Sequence, residues 1–244
     1  MSLDMLSRAS RLRGVVNDVW PSFTPAELRD LYVEVDDFSA FDADDDWTTT
    51  QATTGTADVI DGLGGILQLD SASSTADQGI QVQRKIETFK PQAGSNILFE
   101  CRCKVTDTIA GVQFFAGLSV LDTTLFVTGA NTSTDHIGLE ANAVTQAATA
   151  GRLDLTTESG GTNGSQSTVH TLVEDVYAIL GFYVEGLTQV TPLVNGVPGT
   201  PVTSGSTTIP TTELAVTFAC LEEGSSVDPI TSLDWYYCIQ TGRT

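Results

Sequence analysis

The chain has 244 residues, of which 41% are hydrophobic, and it carries 31 acidic against 11 basic residues for a formal net charge of −20 at pH 7. This length and apolar content suffice for a β-rich domain with a sizeable core. A surface this negative repels nucleic acid, so we predict no nucleic-acid partner. The sequence has no apolar run of 18 residues, so we also predict no membrane partner.

Residues 1–30 differ from the rest because their charges balance, so that residues 31–244 carry the whole excess of −20. An apolar stripe of a short helix is predicted at Leu3, Leu6, Leu12 and Val16. Two interpretations stay open, a tail with a packing helix or an arm that docks on a partner. The candidate partner-binding residues of this arm are Arg8, Arg11, Arg13 and Trp20.

From about residue 31 the sequence changes to short runs that are typical of β-strands. In "NILFECRCKVTD" (96–107), Phe99, Cys101, Cys103 and Val105 alternate with Glu100, Arg102 and Lys104, which predicts one core face and one wet face. Further strands are predicted at 65–70, 79–86, 112–120, 177–186, 213–221 and 232–240. Many strands without a βαβ rhythm indicate an antiparallel sandwich or barrel.

Two segments between the predicted strands have compositions that predict their conformation. After a strand at Gln189–Val194, the pair Asn195-Gly196 predicts a type I′ hairpin turn, with Val197-Pro198 starting the return strand. The Gly-, Ser- and Thr-rich segment "TTESGGTNGSQST" (156–168) predicts a mobile loop.

The ordered series of motifs resembles a known family. A strand ending in "FYVEG", followed by "VTPLVNGVPG" and "LDWYYCIQ", is similar to concanavalin A-like, laminin-G-like jelly rolls. The earlier series "VDDFSAF", "DDDW", "GGILQLDSAS" and "FKPQAGSNILFECRCKV" resembles jelly-roll proteins of tailed-phage virions. The resemblance covers roughly residues 33–240. It implies an all-β, antiparallel two-sheet jelly-roll sandwich over residues 31–244. The resemblance does not cover residues 1–30, for which the apolar stripe predicts a short N-terminal helical arm.

The resemblance also implies a function. We expect a non-enzymatic structural protein that decorates or stabilises a tailed-phage capsid, with the major capsid protein as its partner. It would be made in the host cytoplasm and reside on the capsid surface, as a homo-oligomer for which a trimer suits capsid symmetry. The alternative is a carbohydrate-binding module used for adhesion, with glycans as partners and calcium assistance. No other cofactor is expected.

The stretch "FDADDDW" (41–47) offers Asp42, Asp44 and Asp46 as candidate metal ligands. It does not fit the EF-hand template, because Trp47 and Thr53 stand where that template needs Gly and Glu. Three interpretations remain, namely an irregular calcium loop, a solvated turn before a buried Trp47, and a catalytic carboxylate pair.

Catalytic patterns are incomplete in the sequence. A glycosidase needs two carboxylates that flank the scissile bond. The nearest set, Glu34-Val35-Asp36, lacks its third acid because Ser39 occupies that position. His136 is predicted as a surface or half-buried strand residue without a hydrolase triad.

Three further groups of side chains remain. The four cysteines, Cys101, Cys103, Cys220 and Cys238, are predicted to be core thiols, with zinc or a disulfide as alternatives. A candidate docking patch comprises Arg84, Lys85, Arg102 and Lys104, against the alternative of scattered pairing with acidic neighbours. In "DWYYC" (234–238), Tyr236 faces away from Trp235 and Tyr237 and is a candidate for stacking on a sugar if it is exposed.

The net charge predicts a salt effect on stability. Raising NaCl from about 0.01 to 0.15 M shortens the Debye length from about 30 to 8 Å and screens self-repulsion in the folded state. We expect Tm to rise by about 2–4 °C for each kcal/mol of repulsion removed. Near the isoelectric point the same titration should have little effect. A Tm that is independent of salt at neutral pH contradicts this interpretation.

Overall fold

The computed structural model describes most of the chain after residue 30. The described residues are 31–43, 45–62, 64–106, 109, 111–127, 130–142, 151–203, 208–223 and 228–242. The predicted helical arm at residues 1–30 lies outside them. Within these ranges we found no helix whose length and apolar character would suit a bilayer crossing.

The larger of two antiparallel sheets has nine strands, numbered in chain order. They are β1 (Tyr32–Asp36), β3 (Thr56–Ile60), β4 (Ile66–Asp70), β6 (Asn96–Thr106), β13 (Ala178–Glu185), β14 (Gln189–Val194), β15 (Val197–Pro198), β16 (Val202–Thr203) and β18 (Ile230–Thr241). Seven of them follow the order β15-β14-β13-β6-β18-β4-β3, while β1 pairs with β18 and β16 pairs with β14.

The second sheet has seven strands in the order β12-β11-β10-β7-β17-β5-β2. They are β2 (Trp47–Ala52), β5 (Gln78–Arg84), β7 (Val112–Ser119), β10 (Asp135–Ala141), β11 (Arg152–Ser159), β12 (Thr162–Thr171) and β17 (Ala215–Glu222). A short hairpin joins β8 (Phe126–Val127) to β9 (Ala130–Asn131). The predicted antiparallel two-sheet sandwich is confirmed.

The core lies between the two sheets and is richest in aromatic rings near Phe218 of β17. The Phe218 ring lies 6.5 Å from Phe38, 6.2 Å from Trp47 and 5.5 Å from Tyr236, measured between ring centroids. Phe99 of β6 approaches it to 6.1 Å from the opposite sheet. Offset and edge-to-face pairs of this kind stabilise a core beyond the area they bury.

The alternation predicted for β6 is half right. Its odd-numbered residues from Phe99 to Val105 face the core as expected. The even-numbered residues were expected to face solvent, and Arg102 and Lys104 are partly exposed. Glu100, however, is 3% exposed and accepts a hydrogen bond from the Tyr237 hydroxyl. Both faces of this strand are therefore covered around Glu100.

The two connection predictions have opposite outcomes. Asn195 and Gly196 both have positive φ (51° and 76°) and join β14 to β15, which confirms the hairpin. The predicted loop at residues 156–168 is wrong, because the segment continues β11, turns at Gly160-Gly161 and forms β12. Its β-branched threonines favour strands, and the two glycines supply the positive φ of the turn.

All four cysteines are free and buried, which confirms the prediction of core thiols. Burial raises the pKa of Cys220 to about 12. Burial also raises the pKa values of Cys101 and Cys238, so these three thiols stay protonated at neutral pH, and all four cysteines act as small apolar core residues.

The aromatic core predicts a graded response to truncation. Phe218→Ala removes a fully buried ring that contacts both sheets and should cost about 3–5 kcal/mol of unfolding free energy. Phe41→Ala, which removes a half-buried ring that touches only the edge of the cluster at Trp47, should cost less than half as much. Urea denaturation of the two variants measures the difference, and equal losses would contradict this placement of the core.

Candidate functional site

The acidic loop before Trp47 closes on itself through Asp42. The Asp42 carbonyl oxygen accepts hydrogen bonds from the N–H groups of Asp46 (3.2 Å) and Trp47 (3.0 Å). The Asp42 carboxylate accepts a third from Asp45 N–H at 2.9 Å. Asp44 lies outside the described residues. The described part of the loop is therefore a turn before a buried Trp47.

Within the described ranges, no three acidic, histidine or cysteine side chains lie close enough together to hold a metal ion. Calcium binding stays a prediction.

Arg84, at the end of β5, ties both sheets together. Its Nε donates to Glu34 Oε1 at 3.0 Å and to the Tyr236 hydroxyl at 2.8 Å. Its Nη2 donates to Asp36 Oδ2 at 3.2 Å. Its guanidinium lies 4.5 Å above the Trp47 ring, a cation–π contact. Burial alone would lower the pKa of Arg84, but the neighbouring Tyr236, Glu34 and Asp36 raise it overall, so the cation persists.

This network explains the incomplete carboxylate motif of β1. Glu34 and Asp36 point inward from β1 and both bind Arg84, so their role is to fix the edge of the sandwich. Tyr236 is completely buried beside them and donates to Glu34 Oε1 at 2.8 Å. The alternative of an exposed Tyr236 that stacks on a sugar is therefore wrong. Its hydroxyl is satisfied inside the protein, and Trp235 and Tyr237 face outward in its place.

The two basic residues of β6 are paired on the outer face of the nine-stranded sheet. Arg102 Nη1 lies 2.5 Å from Asp234 Oδ2, and its guanidinium lies 3.9 Å above the Tyr177 ring. Lys104 Nζ lies 3.6 Å from Asp175 Oδ1. Arg102 and Lys104 therefore each have an acidic neighbour.

The candidate docking patch is consequently divided in space. Arg84 points between the sheets, Lys85 is exposed at the end of β5 in the seven-stranded sheet, and Arg102 and Lys104 belong to the other sheet. The structure does not bring these four side chains into one cluster. A docking role for them, and for Arg8, Arg11, Arg13 and Trp20 outside the described residues, stays a prediction.

A different polar cluster lies on the outer face of the seven-stranded sheet, where β10 pairs with β11. Leu139 and Leu155 point into the core, so the neighbouring Glu140 and Asp154 point outward. Glu140 and Asp154 are direct partners across the two strands. Directly opposed residues of an antiparallel pair have Cβ atoms about 4.5–5.5 Å apart. The exposed fractions of the two residues are 7% and 8%.

The two carboxyl groups have different surroundings. Asp154 accepts two hydrogen bonds from the Arg152 guanidinium (3.0 and 2.6 Å) and one from Thr168 N–H (2.6 Å). Glu140 lies 3.4 Å from the Thr156 hydroxyl. Burial raises the pKa of Glu140 to about 7, against the opposing effect of hydrogen bonds from Asn131, Thr156 and Asn142. Contrasting environments of this kind divide the roles of an acid and a carboxylate in a site.

His136 extends the cluster along β10. Its Nδ1 lies 3.1 Å from the Ser133 carbonyl oxygen and its Nε2 lies 3.2 Å from Thr156 Oγ1. Burial lowers the pKa of His136 to about 4, so the ring is neutral at pH 7. Since Nδ1 must donate to the carbonyl, Nε2 is an acceptor, and the single Thr156 proton is shared between two acceptors, His136 Nε2 and Glu140 Oε2. His136 is fully buried, which corrects the sequence-based expectation of a surface or half-buried residue.

A loop covers the neighbouring part of this outer face and reaches Glu140 through Asn131. Leu125 N–H donates to Gln81 at 3.0 Å and Asp122 N–H donates to Gln83 at 3.1 Å, which anchors residues 120–125 over β5. Asn131 follows on this covering segment and lies close enough to Glu140 to lower its pKa. Its Nδ2 atom is buried and makes no hydrogen bond of normal geometry to any described residue.

Sequence reasoning missed the Glu140–Asp154 pair. The stretch "DHIGLEA" (135–141) alternates polar and apolar residues, which could have identified His136 and Glu140 as one outward face. Asp154 is 14 residues further along, and only the register of β10 with β11 brings it opposite Glu140.

The fold is similar to that of solved lectins and glucanases. An endo-1,3-beta-glucanase from Streptomyces sioyaensis matches with a TM-score of 0.60 at 14% identity, covering 91% of this chain and 100% of that one. Peanut lectin matches with a TM-score of 0.58 at 11% identity (88% and 98% covered). A Bacillus licheniformis beta-glucanase gives 0.56 at 11% (87% and 98%). The protein therefore has the concanavalin A-like jelly-roll fold of lectins and glucanases.

Sequence comparisons add no assignment to this fold. No protein-family model matches the chain, and no curated protein matches it at a significant level. The structural neighbours correct one prediction, that the protein is not an enzyme, because several proteins of this fold are glucanases. At identities of 14% or less the likeness shows the fold alone, so it assigns no reaction to this chain.

The buried Glu140 predicts a pH-dependent gain from neutralising it. Because its pKa is raised from 4.5 to about 7, its contribution to stability is complete below about pH 4.5 and is lost as pH rises through 7. Glu140→Gln should therefore gain stability relative to wild type between pH 5 and 8, by up to roughly 3 kcal/mol.

Chemical denaturation at each pH measures this gain. The exposed Glu174→Gln serves as the control and should give a constant difference from wild type. A constant difference for Glu140→Gln as well would contradict the burial of a proton-binding carboxyl at this position.

Proposed function

We propose that the protein binds a neutral carbohydrate on the outer face of its seven-stranded sheet, at the cluster of Glu140, Asp154, Thr156, His136 and Asn131. The observation that carries the proposal is the directly opposed pair of Glu140 and Asp154, two nearly buried carboxyl groups on a sheet face that points away from the core.

The chemistry of the cluster suits hydroxyl groups. A sugar hydroxyl donates and accepts hydrogen bonds at once, so it can donate to the Asp154 carboxylate and accept from the Asn131 amide. Asn131 Nδ2 is buried beside Glu140 without a hydrogen bond of normal geometry, so a ligand oxygen would give it a better-placed acceptor. The net charge of −20 disfavours anionic ligands, which leaves neutral sugars as the better match.

The structural neighbours support the same ligand class. Their names describe a lectin, an endo-1,3-beta-glucanase and a beta-glucanase. This agrees with the carbohydrate-binding alternative that the sequence favoured second, and it makes β-glucan oligosaccharides the first ligands to test. With low affinity at each site, many copies on one particle would bind a glycan surface by avidity.

A titration with soluble β-1,3-glucan and mixed-linkage glucan oligosaccharides tests the proposal. Wild type should bind at least one of them. Asp154→Asn removes the charged acceptor and should weaken binding about tenfold or more, since hydrogen bonds to charged groups contribute about 1.5–3 kcal/mol. Glu140→Gln should weaken binding less, because the raised pKa of about 7 leaves this carboxyl only partly ionised at neutral pH, and a neutral amide of the same shape replaces it.

Exposed Glu185 lies at the end of β13 in the other sheet, and Glu185→Gln should bind like wild type. Failure of wild type to bind any member of a broad glycan array at millimolar concentration would contradict the proposal. Reducing ends released in the same samples, and lost in Asp154→Asn, would extend the proposal from binding to hydrolysis.

The capsid-surface role remains a separate proposal. None of the structural neighbours described above is named as a virion protein, so the role, the major capsid protein as partner and the trimer rest on the sequence resemblance alone. A labelled antibody against the protein, imaged on purified virions, tests that role independently of the glycan site.

A further inference from the structure

The outer face of the nine-stranded sheet carries an apolar surface that its own strands do not account for. We call it the outer patch, and its fully buried members are Leu98, Leu193, Tyr237 and Ile239. Partly buried side chains that pack against it are Leu31, Val35, Tyr183 and Trp235. These residues belong to five adjacent strands, β14, β13, β6, β18 and β1, apart from Leu31, which directly precedes β1.

The outer patch faces away from the core. On β6, Phe99 points into the core, so Leu98 points outward. On β18, Cys238 points into the core, so Tyr237 and Ile239 point outward. The two faces of these strands are therefore both apolar, as they are in a sheet covered on each side.

The burial of the outer patch is deeper than an exposed sheet face allows. Leu98 and Ile239 have 0% exposure, and Tyr237 has 6%. Neighbouring strands shield the flanks of a side chain on a sheet face but leave its tip in water. Further along the same face, the side chains of Arg102 and Lys104 are 36% and 25% exposed. A further layer of chain over the outer patch accounts for this difference.

We propose that residues 1–30 of the same chain cover the outer patch, so that the N-terminal segment forms a third layer of the domain. The position of Leu31 supports this occupant, because the chain enters the described residues at a side chain that already packs against the outer patch. Any segment that ends at Leu31 starts from the rim of this surface. The proposal is independent of the glycan site, which lies on the other sheet.

The size and chemistry of the segment match the surface. Five strands spaced by about 4.8 Å span about 20 Å, and the 16 residues up to Val16 would measure about 24 Å as a helix. The predicted apolar stripe at Leu3, Leu6, Leu12 and Val16 would pack against the outer patch. The arginines at positions 8, 11 and 13 would meet a body that carries a net charge of −20.

Glu100 provides a second indication of a covering layer. It lies among the outer patch residues, directly opposite Tyr237 on β18, and is 3% exposed. Burial raises its pKa to about 7. A carboxyl group on a bare sheet face would be hydrated, so its desolvation agrees with a cover over this face.

The test compares two variants of the full chain that each gain one negative charge. Leu6→Glu places the charge in the apolar stripe, and Ser7→Glu places it at the next position as a control. Trypsin cleavage at Arg8, Arg11 and Arg13 reports whether the segment is docked. We expect these arginines to be cut at least tenfold more slowly in wild type and Ser7→Glu than in a free peptide of residues 1–30. Leu6→Glu should be cut at the rate of the free peptide.

Two further measurements identify the occupant. The fluorescence of an apolar dye should increase several-fold in Leu6→Glu and stay at the wild-type value in Ser7→Glu, because only the former exposes the outer patch. Molecular mass by light scattering should stay the same or rise in Leu6→Glu. Cleavage of wild type at the peptide rate overturns the proposal, as does equal behaviour of the two variants. A wild-type oligomer that Leu6→Glu dissociates also overturns it and assigns the cover to a second copy.

Discussion

The pleat of the strands is the constraint on which the rest of this structure depends. Each strand presents alternate side chains to its two faces, and two sheets must bury one face each against the other. The aromatic cluster around Phe218 fills the space between them, and Arg84 fastens the edge by binding Glu34, Asp36 and Tyr236. Once the inner faces are occupied in this way, the chemistry of the two outer faces is fixed by the intervening residues.

Those two outer faces differ in kind. On the seven-stranded sheet, Glu140 and Asp154 form a polar cluster in which a neutral His136 and a carboxyl with a raised pKa share hydrogen bonds through Thr156. On the nine-stranded sheet, one half is apolar with a buried centre while the other half carries paired charges. We propose that the first face recognises a ligand by hydrogen bonds and that the second is covered by another segment of the chain.

Local patterns in the sequence predicted much of the fold because they report local rules. The alternation of Phe99, Cys101 and Cys103 identified the inner face of β6, and Asn195-Gly196 identified the hairpin. Composition misled at residues 156–168, where glycine and threonine suit a loop as well as a tight hairpin. The Glu140–Asp154 pair was beyond reach, because it depends on the register between two strands and no local rule sets that register.

For the charged residues, the sequence likewise showed which side chains cluster along the chain but not which partners they contact in the fold. The clusters at residues 41–47 and at Arg84 stood out in the sequence as groups, yet the structure uses Asp42 to close a turn and Arg84 to join the sheets. Neither the turn that Asp42 closes nor the contacts of Arg84 with the other sheet could be predicted from neighbouring residues in the sequence. The contact between Glu34 and Arg84 depends on how the sheet that contains β1 packs on the sheet that contains β5.

A crystal structure of the full chain with a bound β-glucan oligosaccharide tests the assignment of the two outer faces most directly. We expect sugar hydroxyls within hydrogen-bond distance of Asp154 and Asn131, on the β10–β11 side of the seven-stranded sheet. Sugar bound on the nine-stranded sheet, or at the Arg84 edge, with the Glu140–Asp154 cluster untouched would contradict it.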